Sequence, residues 1–470
     1  MESRGNAVLS YDILILVLAW IRDDYHSLFS CSLVNRIFKD ASATYLYRKV
    51  TYSPAFSPVL DLKKRDDFLD GFFASARLPH NAPLVRRLEV SGYLPSRPPP
   101  LNKLPGHLKA AIECWPNIQT VILTPKQYHK DVFTEMLSSL LGLQYLRNLT
   151  VNASCTEEKH SSVLAQVRGL ESLTIEAPTR AILQVLPDWT GQLESSLRTF
   201  RLTHSCGSVT PGVLRSFIPH LQSVTSFALG LSYSLTDSDV FAFWQELPCL
   251  LALEFRYYLQ LRPSFDPRLP RLRHLTVHYS NVMTKDHTDR LCRWVRRVIA
   301  KSPLELLRLV CENEVDGPAV SFDPLVEHLC MKHHEKLRVL HMPDCFVGRR
   351  LLGVLCGTCK ALEELALGIS RDALDDVESL VTGLVRLHTV DLNIRNVRAP
   401  VRIRQDFAES LMRKGPSLRR LTVDGRRFEG AWTTMQDGKV QFVVEPVQKE
   451  RRVFPWEKGT IEHKERTHHW

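Results

Sequence analysis

Val85-Arg86-Arg87-Leu88-Glu89-Val90 and, far along the chain, Leu418-Arg419-Arg420-Leu421-Thr422-Val423 are two copies of one short strand. The pattern is apolar-x-x-apolar-x-apolar. It recurs thirteen times, starting at 85, 118, 146, 170, 197, 224, 250, 272, 304, 337, 362, 387 and 418, with gaps of 22 to 33 residues. Side chains alternate across a strand, so the apolar positions point into a stack and the intervening ones point out. A period of this length belongs to stacked repeat architectures, in which each unit buries its apolar face against its neighbours.

The pattern resembles a degenerate leucine-rich repeat. Segments with helical spacing lie between copies, as at Asp289 to Lys301 and Asp372 to Leu380. The expected fold is α/β, a solenoid with a parallel sheet on its concave side and helices on its convex side. A general α/β fold with coincidental spacing is the alternative. The position eight residues after the first strand leucine should carry Asn or Cys bonded to the turn backbone. Cys345 fits, while Ser154, Ser205, Ser280 and Ser370 stand there in other copies. A partner protein is expected on the outward column, with Arg87, Glu89, Arg201, Glu254, Arg256, His274, Arg308, His341 and Asp391 as candidate substrate contacts. Thr150, Thr174, Thr276, Thr422, His278 and Arg420 share that face. Both charge signs are present, which suits protein recognition, where complementarity sets specificity. For any single residue, a merely soluble sheet face is the competing reading.

The first fifty residues are of another kind. Ile13, Leu16, Val17, Trp20 and Ile21 recur with helical spacing, and Ser10 or Asp12 is placed to cap that helix. A second helix is expected from Ser27 to Phe38 and a third from Ala41 to Tyr47. Ile13, Leu16, Val17, Leu28, Leu33 and Val34 are more apolar surface than so small a unit hides. Either a partner covers them or they pack on the first repeats as a cap.

Three stretches carry a further resemblance: Leu9-Ser-Tyr-Asp12-Ile13-Leu14, Leu28-Phe-Ser-Cys31-Ser-Leu33-Val34-Asn-Arg36, and Ala41-x-x-x-Tyr45-Leu46-Tyr47-Arg48-Lys49-Val50. Together they resemble an F-box in the form common among fungal F-box proteins. The departures are Ser10, where that family usually has proline, and Asn35, where this subgroup often has cysteine. The resemblance implies a Skp-type adaptor bound by Leu9, Ile13, Leu16, Val17, Leu28, Cys31, Leu33 and Val34. It also implies a cullin and a RING subunit reached through that adaptor, and a protein substrate held by the repeats. The chain then reads as an F-box-like unit at 8–50, a connector at 51–83 containing a helix from Asp66 to Arg77, the repeat array with its C-terminal cap at 84–446, and a charged tail at 447–470. A repeat scaffold that binds a protein without recruiting a ligase is the second reading.

Composition bounds the rest. The chain has 470 residues, is 44% apolar and 24% charged, and carries a net charge of +10 spread over 61 basic and 51 acidic side chains. That imbalance does not point to nucleic acid. The eleven cysteines show no framework spacing, which fits the reducing cytosol or nucleus. The apolar run Ile13 to Ile21 is far short of the roughly 20 residues a membrane span needs. Cys356-Gly-Thr-Cys359 lies near Cys330, His333, His334, His341 and Cys345, but these read better as core and turn residues than as zinc ligands, so neither metal nor cofactor is expected. Arg290, Arg293, Arg296, Arg297 and Lys301 flank Leu291, Trp294, Val295 and Val298 and read as the solvated face of an outer helix. No nucleophile, phosphate-loop or zinc-protease motif is present, so no enzymatic activity is expected.

Overall fold

The computed structural model describes residues 10–56, 62–97, 102–258, 265–280, 282, 284–313, 320–396, 401, 403–435 and 438–447. Leu9, the run of prolines at 98–100 and the tail beyond Val447 lie outside these. The chain forms two compact units divided between Leu202 and Thr203.

The first unit opens with three helices: α1 (Tyr11–Ala19), α2 (Tyr25–Ser32) and α3 (Arg36–Leu46). Each starts on a side chain that accepts a backbone N–H of the first turn. Ser10 Oγ accepts from Ile13 N, Asp24 Oδ1 from Ser27 N and Asn35 Oδ1 from Phe38 N. These caps correct the expected boundaries. Asn35 does not sit on the surface of a helix running to Phe38. It ends the preceding turn and starts α3, because its carboxamide competes for the backbone. The core of this trio is Leu14, Leu18, Leu28 and Ala41, with Tyr45 Oη donating to Ile15 O at 2.8 Å.

From α3 the chain runs directly into a sheet. β1 (Lys49–Tyr52) pairs in parallel with β2 (Arg87–Tyr93), and β3 (Thr120–Gln127), β4 (Asn148–Val151) and β5 (Ser172–Glu176) follow in chain order. Between them lie α4 (Leu62–Arg77), α5 (Leu104–Cys114), α6 (Thr134–Leu137) and α7 (Glu158–Leu164), each packed against the next, and α8 (Arg180–Leu193) closes the row. β1 and α4 thus form a repeat of their own that straddles the expected boundary between the F-box-like unit and the connector. Tyr47 Oη lies 2.7 Å from Ser75 Oγ, and Trp115 Nε1 donates to Ala76 O at 2.9 Å, which ties α4 into the stack. β6 (Thr199–Ser205) carries the chain onward.

The second unit repeats the plan. α9 (Pro211–Phe217), α10 (Asp237–Gln245), α11 (Lys285–Ile299), α12 (Asp323–Lys332), α13 (Arg349–Thr358), α14 (Arg371–Val381) and α15 (Gln405–Lys414) line one side. The strands β7 (Ser226–Leu231), β8 (Ala252–Arg256), β9 (His274–Tyr279), β10 (Leu306–Cys311), β11 (Val339–Val347), β12 (Glu364–Ser370), β13 (Thr389–Arg395) and β14 (Arg420–Val423) run parallel in chain order. An antiparallel pair, β15 (Arg426–Thr434) and β16 (Val440–Val447), ends the sheet.

Every one of the thirteen motif copies begins two residues before a strand. At all three apolar positions of every copy the side chain is buried. A ladder of backbone bonds joins neighbouring repeats at the second motif position, as in Arg273 N to Leu251 O, Glu305 N to Arg273 O and Arg338 N to Glu305 O, each at 2.8 Å. Thr179, Thr210, Thr236 and Thr284 each cap the helix that follows a strand. Each unit is therefore a leucine-rich-repeat-like stack of strand–helix repeats, with its core between strands and helices.

The turn bonding differs from the expected one. Asn152 and Asn393 stand six residues into their motifs and donate to the carbonyls of Pro125 and Pro343, at 2.8 and 3.0 Å. They do the work expected of the eighth position. Ser154 is itself held by Asn152 Oδ1, Ser205 and Ser280 are exposed, and Cys345 is buried 3.4 Å from Tyr279 Oη.

Candidate functional site

Two surfaces stand out. The first is on α1–α3. After Tyr11 and Asp12 in its first turn α1 is wholly apolar, and only Leu14 and Leu18 are fully inside. A helix of that kind is ordinarily covered on every side. Here Ile13, Leu16, Val17 and Trp20 point to solvent, with Leu16 67% and Trp20 91% exposed. Phe29 on α2, Leu33 and Val34 in the turn before α3, and Ile37 on α3 extend the exposed apolar surface, Leu33 being 71% exposed. Of the five residues whose spacing marks one helical face, Ile13, Leu16, Val17 and Trp20 do share the exposed edge, whereas Ile21 departs from it and packs with Leu14 and Leu18 on the core.

Of the residues expected to contact an adaptor, Ile13, Leu16, Val17, Leu33 and Val34 are on this open surface. Leu28 is not; it is fully buried in the core of the trio, and Cys31 packs half-buried against that core. Leu9 lies outside the described residues. Trp20, Phe29 and Ile37, which are not among those expected residues, extend the same exposed surface. Trp20 was visible in the same helical spacing as Ile13 and Val17, whereas Phe29 and Ile37 needed the α2 and α3 boundaries that the caps at Asp24 and Asn35 set.

The second surface is the helix-free face of the sheet. In the first unit the middle outward row reads Thr51, Glu89, Ile122, Thr150 and Thr174 in direct register. Glu89 accepts from Lys49 Nζ at 3.0 Å and from Arg87 Nη2 at 3.1 Å. Burial pushes its carboxyl up, and these two cations more than offset that, leaving it below the usual range. Arg87 and Glu89 are thus committed to each other. Arg201 is half-buried on β6.

In the second unit the row runs Glu254, Thr276, Arg308, His341, Ala366, Asp391 and Thr422, again in direct register. His278 Nε2 lies 3.1 Å from Glu254 Oε1, and Arg256 pairs with Glu312. Arg395 pairs with Asp344 at 2.8 Å. Burial, with the nearby Arg308 charge, holds the His341 imidazole below its ordinary value. Arg308 is half-buried, and its Nε is shielded without a hydrogen-bond partner among the described residues. Asp391 is half-buried too, and burial followed by the Asp344 charge raises its carboxyl. His274 is exposed at the start of β9.

The remaining constellations resolve into structure. Cys356 and Cys359 are buried on and just after α13, and burial pushes the Cys356 thiol up to about 12. Among the described residues no group of three or more His, Cys, Asp or Glu converges as a metal site. On α11, Leu291, Trp294, Val295 and Val298 are buried while Arg293 and Arg296 are exposed. Arg290 pairs with Asp286 at 2.6 Å and Arg297 with Asp266 at 3.5 Å. No helix among the described residues is long and apolar enough to cross a membrane.

No family model and no curated protein matches this sequence. Among solved structures, the Rad7 and Elc1 complex from yeast is similar at a TM-score of 0.33 and 12% identity, over 89% of this chain and 94% of that one. The TLR13–ssRNA13 complex is similar at a TM-score of 0.33 and 15% identity, over 73% of this chain and 53% of that one.

Proposed function

We propose that this chain is a substrate-recognition subunit of a Skp–cullin–F-box E3 ubiquitin ligase, working in the cytoplasm or nucleus. α1–α3 bind a Skp-type adaptor, which reaches the cullin and RING subunits, and the outward sheet face binds a protein target. The observation that carries this reading is the uncovered apolar edge Ile13–Leu16–Val17–Trp20 with Leu33 and Val34. Fully burying one such side chain is worth about 1.5–3 kcal/mol, so leaving them all in water is costly unless a partner covers them. The F-box-like residues around Ile13, Cys31 and Tyr45–Val50 name the partner. An amphipathic helix pair set into an apolar groove of the adaptor supplies the missing burial.

The subunit performs no bond chemistry of its own. It holds the target near the conjugating enzyme, and the gain is one of effective concentration. The test is retention of the purified full chain by an immobilised adaptor–cullin–RING assembly, beside an Ile13→Asp/Leu33→Asp variant. Truncation at residue 51 is avoided because it cuts β1, which begins at Lys49. The full chain is retained and the variant passes through. If both pass through, the reading reduces to a repeat scaffold without ligase recruitment.

A further inference from the structure

The charged groups on the outward face of the second unit mostly satisfy one another. Glu254 meets His278, Arg256 meets Glu312 and Arg395 meets Asp344. Two charged positions of the middle row are left over. Among the described residues, Arg308 on β10 and Asp391 on β13 have no ion-pair or hydrogen-bond partner, although both are half-buried. An unpaired charge drawn partly out of water costs stability, and nearby pairs demonstrate that this face can neutralise its own charges.

Their separation is set by the sheet. Arg308, His341, Ala366 and Asp391 are direct neighbours in one row. Three strand spacings put the Arg308 and Asp391 backbones about 14 Å apart. They cannot reach each other, and Ala366 offers neither of them a charge. Glu364, two residues before Ala366 on the same face, adds to the acidic end. An extended peptide laid across the strands advances about 3.3 Å per residue, so the same distance spans about four residues. Residues i and i+4 of an extended segment also point the same way.

We propose that this face of the second unit binds an extended segment of a protein partner carrying an acidic and a basic side chain four residues apart, the acid on Arg308 and the base on Asp391. The inference deepens the substrate-binding half of the proposed function and does not depend on adaptor binding.

The experiment probes the full chain with a synthetic peptide array in which one Glu and one Lys, in both orders, are placed at every spacing in an Ala/Ser/Thr/Leu background. Binding should peak at spacing four in one order and fall at the odd spacings on either side. Arg308→Ala and Asp391→Asn, checked by circular dichroism and thermal melting to be folded, should each weaken the best peptide about tenfold or more. The double variant Arg308→Glu/Asp391→Lys should prefer the reverse order. Binding without spacing preference, binding indifferent to both single substitutions, or no binding by any peptide overturns the proposal. Adaptor retention, measured on the same preparations, separates that failure from failure of the ligase reading.

Discussion

Arg395 Nη2 on β13 donates to Asp344 Oδ1 on β11 at 2.8 Å, reaching past the whole of β12. The residue that lets it pass is Gly368. A Cβ there would lie 3.3 Å from Arg395 Cγ and 3.1 Å from the Cys345 carbonyl oxygen. Asn393 uses the same gap to reach Pro343 O. A missing side chain on one strand thus staples its two neighbours.

Breaking this staple from one end leaves a charge without its partner. Asp344→Asn and Arg395→Gln should each destabilise the chain by about 1.5–3 kcal/mol. The double variant should lose less than the sum, because the two changes remove one shared interaction. Urea denaturation of the four proteins measures the coupling.

Two glycines should respond in opposite directions to alanine. At Gly230 a Cβ would sit 2.2 Å from the His204 carbonyl oxygen, a backbone atom that cannot swing away. Gly230→Ala should cost about 1–3 kcal/mol. Gly353 lies within α13 with nothing within 4 Å of its would-be Cβ. Gly353→Ala should gain about 0.5–1 kcal/mol by relieving the conformational cost of glycine in a helix. Thermal melts of both variants decide this.

His333 is buried beside His328, their rings 5.6 Å apart, and its Nε2 has no hydrogen-bond partner among the described residues. Burial first, then the His328 and Lys332 charges, holds its imidazole at about 4. The unfolded chain takes up that proton near pH 6.5. The folded form is therefore favoured fully above about pH 6.5 and loses this contribution as pH falls toward 4. His333→Gln should flatten the stability profile across that window. An unchanged slope would show the ring to be hydrated.

Asp391 gives the opposite sign. Its carboxyl is raised by burial and by Asp344, itself paired with Arg395. Ionisation is thus harder in the folded chain, a penalty complete above the raised value and absent below the ordinary one near about 3.9. Asp391→Asn should stabilise the free protein at pH 7 and leave it unchanged in acid. A destabilised variant at pH 7 would mean that Asp391 serves the fold.

The thirteen strand copies were legible because three apolar positions at fixed spacing leave little freedom in where a strand begins. A further copy is harder to read. Tyr47-Arg48-Lys49-Val50-Thr51-Tyr52 has the same spacing, and β1 again starts two residues in, at Lys49. Tyrosine replaces leucine at both ends, and the stretch doubles as the end of the F-box-like sequence. The terminal hairpin was also signalled. Asp424 and Gly425 have φ of 45° and 76°, which a two-residue hairpin turn requires, and Asp-Gly is the dipeptide that supplies it. Lys439-Val-Gln-Phe-Val-Val444 reads as a strand and falls on β16, whereas its partner β15 is unmarked because its charged and small residues lack strand alternation. Sequence could not tell Leu28 from Leu33. Both are apolar and five residues apart, and only the break at Asn35 turns one inward and leaves the other in solvent.

The most direct measurement is titration calorimetry of the purified full chain with a purified Skp-type adaptor, for the wild type and Ile13→Asp/Leu33→Asp. The wild type should bind at micromolar or tighter affinity. Losing two buried apolar contacts, each worth about 1.5–3 kcal/mol, should weaken the variant roughly 100-fold or more with its melting temperature unchanged. A wild type that gives no binding heat at several temperatures, or a folded variant that binds as tightly, would contradict the account.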